Sequence, residues 1–185
     1  MRMINLLERC LIIGLGNIGL KYDLNLSDDQ ILTHSKAFFH HPDFELIGAV
    51  DKNRVNRNSF EKKYNKPAYK NVRDGVLKEN PSIVVISTPT STHSIILDEV
   101  LEYISPKLIL CEKPLDYDLS RAKFMIDKCK KNKIELLVNY IRRSDPGSIE
   151  IKKRILSGKI KQPLKGFVYY SKGIMNNGSH YLNIL

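Results

Sequence analysis

A short apolar run, Cys10-Leu11-Ile12-Ile13, passes directly into Gly14-Leu15-Gly16-Asn17-Ile18-Gly19. A Gly-x-Gly-x-x-Gly turn between a strand and a helix narrows the possible folds more than any other feature of the chain. Gly14 suits the tight turn, Gly16 lets the backbone approach a pyrophosphate, and Gly19 lets the following segment pack on the strand. The helix start beyond it offers unpaired N–H groups and a positive dipole end to an anion. Gly14, Gly16, Asn17, Ile18 and Gly19 are therefore the first candidates for dinucleotide contact. A glycine-rich turn without a ligand has the same local sequence, so the context decides.

That context alternates strands with helices. Apolar, β-branched runs at Cys10–Leu15, Leu46–Val50, Ile83–Ser87, Leu108–Cys111 and Ile134–Asn139 read as strands buried on both faces. Between them, helical patterns are predicted near Thr33–His40, Arg54–Tyr64, Val72–Glu79, Ser94–Ile104 and Leu119–Lys131. Pro81, Pro89, Pro106 and Pro114 sit just outside strands, where proline breaks no ladder. The fold class is α/β: a doubly wound parallel sheet of Rossmann type, followed by the beginning of a second, α+β domain. The turn cluster Ser144-Asp145-Pro146-Gly147-Ser148 places the boundary near Arg143, giving a dinucleotide-binding domain over 1–143 and the start of another over 144–185. In the second part a helix over Ile149–Leu156, a partly alternating strand over Leu164–Ser171 and an apolar segment over His180–Leu185 are expected.

Composition excludes several classes. With 42% hydrophobic and 27% charged residues the chain is ordinary for a globular protein, and no run approaches the roughly 18 apolar residues of a membrane span. Glu8 and Arg9 interrupt the Met1–Gly16 stretch, which reads as a strand rather than a signal segment, so a cytoplasmic location and no membrane partner are expected. The 3 cysteines, Cys10, Cys111 and Cys129, have no metal-ligand spacing and an odd count, and Cys10 and Cys111 read as core residues. His34, His40, His41 and His93 form no metal spacing either. The net charge of +10 is spread along the chain. Lys128, Lys130, Lys131 and Lys133 suit a helix C-terminus, so a solvated surface is expected and no nucleic-acid groove. The same charge favours an anionic cofactor or substrate.

Asp51 ends the second long strand, where an acidic residue accepts from an adenosine ribose and repels a 2′-phosphate, which favours NAD over NADP. Lys52 and Arg54 oppose that preference. The stretch from Gly19 to Asp51 exceeds the usual spacing of about 20 residues, and the excess reads as a surface loop inserted over Lys21–Leu32. Two further segments follow strands at their carboxyl ends, the edge where open α/β sheets bind ligands. They are Ser87-Thr88-Pro89-Thr90-Ser91-Thr92-His93 and Cys111-Glu112-Lys113-Pro114-Leu115.

The order Gly-x-Gly-x-x-Gly, Thr-Pro-x-x-x-His, Glu-Lys-Pro, then Gly178-Ser179-His180 resembles the Gfo/Idh/MocA family of NAD(P)-dependent sugar and inositol oxidoreductases, over essentially the whole chain. The resemblance implies that Lys113 is a catalytic lysine on the reacting oxygen and that Glu112 and Pro114 shape the nicotinamide pocket. It implies that Ser87, Thr88, Pro89 and His93 lie along the cofactor, His93 covering it or capping the next helix. His180 becomes the general acid or base, in one cleft with Lys113. Oxidising a secondary alcohol removes a proton and a hydride together; histidine can take the first near neutral pH, and a lysine cation stabilises the developing alkoxide.

Asn176 stands where many family members carry an aspartate, and Asn183 likewise; an asparagine orients a substrate but exchanges no proton. Asn139, with Arg142, matches a region beside the family's substrate pocket, and Arg142 equally suits a surface salt bridge. The implied substrate is a small sugar, cyclitol or nucleotide sugar, with the segment around His180 similar to a branch serving polysaccharide biosynthesis. The rival reading is a non-catalytic NAD-binding regulatory module or an inactive fragment. Full members are about twice as long and associate through the second domain. By that comparison the chain is expected to be truncated, to form homo-oligomers only if completed, and not to turn over substrate unaided. Its final apolar residues, Tyr181, Leu182, Ile184 and Leu185, are expected to need a cover.

Overall fold

The computed structural model describes residues 7–161, 163 and 165–184. The first six residues of the Met1–Gly16 stretch, Leu164 and Leu185 lie outside them. The chain divides into two compact units, Met1–Leu137 and Val138–Leu185.

The first unit is built on strands β1 (Glu8–Ile13), β2 (Phe44–Val50), β3 (Ala68–Tyr69), β4 (Ile83–Ile86) and β5 (Leu108–Glu112), with β6 (Glu135–Asn139) running across the boundary. The strand order is β3-β2-β1-β4-β5-β6, and the pairs β1 with β2, β1 with β4, β2 with β3 and β4 with β5 are parallel. Order reverses between β1 and β4, which is the switch point where doubly wound sheets open a crevice. The central strands have no wet face. All of Cys10–Ile13 and all of Ile83–Ile86 are buried, as parallel strands covered on both sides must be.

Short polar side chains start the helices where the sequence supplies them. α1 (His34–His40) is capped by Thr33, α2 (Arg54–Tyr64) by Asn53, α3 (Val72–Glu79) by Asn71, and α5 (Leu119–Lys131) by Asp118, each accepting from a backbone N–H in the first turn. α4 (His93–Tyr103) follows the 3-10 turn Thr90–Thr92. In the second unit Asp145 caps α6 (Pro146–Leu156), with Pro146 in the first turn. A π-helical turn, Ile174–Gly178, then leads into α7 (Ser179–Ile184).

Three expectations change. β3 is an added strand, too short for an apolar run to announce it. The segment after Gly16 forms one π-helical turn, Asn17–Lys21, and helix resumes only at His34, because the Lys21–Leu32 insertion intervenes. Residues 165–171 are not a strand; among the described residues no partner strand pairs with them, and a lone strand leaves its ladder groups unmet. Arg143, where the sequence places the boundary, lies in the 3-10 turn Ile141–Ser144, beyond the division between Leu137 and Val138.

The insertion is a surface segment with one buried anchor. Asp23, fully buried, accepts from Leu32 N at 2.6 Å, Thr33 N at 2.8 Å and Thr33 Oγ1 at 2.7 Å. Lys36, also fully buried, donates through Nζ to Leu26 O at 3.2 Å and Ser27 O at 2.6 Å. Both side chains are thus satisfied by hydrogen bonds, as buried polar groups require.

All three cysteines are free and buried, and burial pushes each thiol above its ordinary range. Since only the thiolate attacks disulfide reagents, the native chain is expected to leave a thiol-labelling reagent unconsumed at neutral pH. Denaturation should release 3 reactive thiols, and rapid labelling of the native chain would contradict this packing.

Candidate cofactor site

The ends of β1, β2, β3 and β4 are tied together where the chain leaves the sheet. Gly14 N donates to Val50 O at 2.8 Å, Ser87 N to Ile13 O at 2.8 Å and Asp51 N to Tyr69 O at 3.0 Å. Ser87 Oγ donates to Gly14 O at 2.8 Å, joining the turn after β4 to the glycine turn. Gly14 has φ +102°, and a Cβ there would come within 2.8 Å of the Ser87–Thr88 backbone. A Cβ on Gly19 would lie 2.0 Å from Gly14 O. Both glycines are thus demanded by the protein itself. Gly16 is different: nothing lies within 4 Å of its Cβ position, and its φ of −73° suits any residue. The space beside Gly16 faces no protein atom, which fits a site where a ligand approaches the backbone.

A cleft of about 670 Å³ opens at this edge, lined by Gly14, Gly16, Asp51, Ser87, Thr88, Pro89 and Thr92, a size ordinary for small-molecule sites. Asn17 and Ile18 begin the π-helical turn next to it. Asp51 is held from three sides. Its Oδ2 accepts from Leu15 N at 2.7 Å and Asn56 Nδ2 at 3.2 Å, and its Oδ1 from Asn53 N at 2.7 Å. A carboxylate has about four acceptor positions, and these three hydrogen bonds fill two on Oδ2 and one on Oδ1. Arg57 donates to Asp51 O and Lys52 O, while Lys52 and Lys70 line the cleft.

Sequence reasoning missed part of this wall. Lys70 and Asn71 come from the turn after β3, Val72 from the start of α3, and Ile95, Ile96 and Glu99 from α4. The α4 positions were visible only as one face of a helix, and the β3 turn was hidden by the brevity of its strand.

The Glu-Lys-Pro turn leaves β5 in the other half of the sheet, with the Lys113–Pro114 peptide cis. Glu112 Oε1 pairs with His34 Nε2 at 2.8 Å. Burial holds the Lys113 ammonium below the ordinary lysine range, and the Glu112 carboxylate opposes that fall. His93 is fully buried. Its Nδ1 lies 3.2 Å from Leu115 O and its Nε2 2.9 Å from Thr88 O, so the ring bridges the turns after β4 and β5.

In the second unit His180 is the second residue of α7, its ring edge-on to Tyr140 at 5.8 Å. Asn139 ends β6, and Asn176 sits in the π-helical turn, where its carbonyl accepts from Ser179 Oγ at 2.8 Å. Gly178 leaves room for the Tyr170 ring, 3.0 Å from its Cβ position. Arg142 stacks over Tyr181 at 5.6 Å, and Arg143 donates to Asn183 Oδ1 at 3.0 Å.

A glycine turn after β1, a carboxylate at the end of β2 and a crevice at the switch point are the features of a Rossmann dinucleotide-binding domain. Residues 8–140 match the oxidoreductase family with an NAD-binding Rossmann fold, Gfo/Idh/MocA, and the chain belongs to that family. It is 31% identical over 168 residues to scyllo-inositol 2-dehydrogenase (NAD(+)) of Bacillus subtilis, covering 86% of this chain and 44% of the relative. It is 30% identical over 96 residues to D-xylose 1-dehydrogenase [NADP(+)] of Haloarcula marismortui, covering 52% of this chain and 26% of the relative. An oxidoreductase from Agrobacterium radiobacter, solved in complex with NAD+, L-tartaric acid and magnesium, shares the fold with a TM-score of 0.78 at 18% identity, covering 96% of this chain and 53% of that one. The chain thus spans less than half the length of these curated relatives. Among the described residues no helix is long and apolar enough to cross a membrane.

Proposed function

We propose that the protein binds a nicotinamide dinucleotide, NAD in preference to NADP, and transfers a hydride between it and a hydroxyl-bearing carbon of a sugar, cyclitol or nucleotide sugar. The observation that carries the reading is Asp51: tied to Leu15 N in the glycine turn, with one acceptor position left on Oδ1. The open space beside Gly16 supports it. The carboxylate repels a 2′-phosphate, while Lys52 and Lys70 soften the discrimination. Gly14, Gly16, Asn17, Ile18 and Gly19 cradle the pyrophosphate, Ser87, Thr88 and Pro89 border it, and Glu112 and Pro114 flank the nicotinamide half.

When bound, the nicotinamide supplies the hydride acceptor. Lys113 holds the substrate oxygen, and its ammonium stabilises the alkoxide that develops there. His180 takes the hydroxyl proton on a ring nitrogen. Asn139 and Asn176 orient substrate hydroxyls, since an amide donates and accepts without exchanging a proton. The relatives named as acting on scyllo-inositol and D-xylose set the first compounds to try.

The test is nucleotide reduction by the full chain with NAD+ and a panel of cyclitols, aldoses and nucleotide sugars, followed through the absorbance of reduced nicotinamide. Reduction with at least one of them would support hydride transfer and overturn the expectation that this chain does not turn over substrate unaided. Tight NADH binding with no reduction across the panel would favour a dinucleotide-binding module instead.

A further inference from the structure

His34 opens α1, far in sequence from the Glu-Lys-Pro turn, yet the two meet. Its Nε2–H donates to Glu112 Oε1 at 2.8 Å, with the two side chains only 10% and 14% exposed. The other carboxylate oxygen, Oε2, accepts from Lys113 N at 3.3 Å. At the far end of the same turn, His93 faces Leu115 O. The turn carrying Lys113 is thus held at one end by a carboxylate and at the other by a backbone carbonyl.

We propose that His34 is a positioning residue for the cofactor site, fixing Glu112 and through it the Lys113–Pro114 segment against the nicotinamide half of the crevice. This rests on the reading of the crevice as a nicotinamide dinucleotide site. Without His34, Glu112 Oε1 loses one buried hydrogen bond, and the side chain is free to shift toward a neighbouring donor. Lys113, next in the chain, is the cation at hand. A Glu112 side chain that swings to Lys113 displaces both groups from where the nicotinamide end needs them. The adenosine half would not sense the change, since Asp51, Val72 and Ile95 belong to other elements.

The insertion enters here. Asp23 binds Leu32 N, Thr33 N and Thr33 Oγ1, and Thr33 caps α1 by accepting from Lys36 N. The buried aspartate therefore sets the first turn of the helix from which His34 reaches Glu112.

The experiment compares NADH with ADP-ribose, which lacks the nicotinamide, as ligands of the full chain. His34→Leu is expected to weaken NADH about tenfold, the loss of one buried charge-assisted hydrogen bond, while ADP-ribose affinity stays the same. His34→Gln, whose amide N–H reaches toward the carboxylate, should recover most of the loss. His34→Asn ends short of Glu112 with little change in packing, and should show the same NADH-selective loss if leucine is not tolerated. Equal weakening of both ligands would reduce His34 to a structural residue and overturn the proposal, as would full NADH affinity in His34→Leu and His34→Asn. A wild-type chain that binds neither ligand would instead remove the cofactor reading on which the proposal stands.

Discussion

Gly19→Val is expected to abolish NADH binding and to lower the melting temperature by about 10 °C, whereas Gly16→Val abolishes binding with the melting temperature unchanged. A Cβ at Gly19 would stand 2.0 Å from Gly14 O and 3.1 Å from Ser87 Oγ. The Gly14 carbonyl cannot rotate away, because it accepts from Ser87 Oγ at 2.8 Å. The glycine turn must move and break that tie. Overpacking of a fixed site costs about 3 kcal/mol, which is about 10 °C for a chain of this size. At Gly16 no protein atom opposes a side chain within 4 Å, so only a ligand can. Calorimetric melting and NADH titration of both variants check the contrast. Near-wild-type NADH affinity in Gly16→Val would show that no pyrophosphate approaches that backbone.

In any preparation that reduces NAD+, Lys113→Ala is expected to lower turnover by two to three orders of magnitude, about 3 to 4 kcal/mol of lost alkoxide stabilisation. NADH affinity should stay within about threefold, since the lysine's charge acts on the substrate oxygen as it becomes anionic. The pH profile gives a second readout. The active form of Lys113 is the ammonium, and burial already holds it below the ordinary lysine range while the Glu112 carboxylate opposes the fall. Raising the pH through that lowered value discharges the lysine, so the alkaline limb of turnover comes early. Glu112→Gln removes the opposing charge and should move that limb to still lower pH. Unchanged turnover in Lys113→Ala would exclude the lysine from the chemistry.

Much of the first unit was legible because its signals are local. α2, α3 and α5 begin just after Asn53, Asn71 and Asp118, side chains that satisfy first-turn N–H groups, and the apolar runs of β1, β2 and β4 match strands buried on both faces, whereas β5 alternates and β6 has no buried residue, so the expected double burial fails toward that edge of the sheet. The glycine turn carries its own geometry in Gly14 and Gly19. What escaped was set by tertiary partners. β3 is two residues long, below the length at which alternation is visible. Alternation over Leu164–Ser171 suggested a strand, but 165–171 pair with no neighbour among the described residues. His34 and Glu112 meet across α1 and β5, and His93 joins two turns through backbone carbonyls, contacts with no local sequence signature. Asp23 looked like one more polar loop residue, although three hydrogen bonds in the fold make it the anchor of the insertion.

The crevice is tested most directly by titrating the wild-type chain and Asp51→Ala with NADH and NADPH in a calorimeter. The wild-type chain should bind NADH with a Kd well below about 1 mM and more tightly than NADPH. Asp51→Ala should weaken NADH and narrow or reverse the gap, because the ribose acceptor and the charge that repels a 2′-phosphate go together. A wild-type chain that binds neither nucleotide below about 1 mM, or an Asp51→Ala chain that keeps both the affinity and the preference, would contradict the assignment.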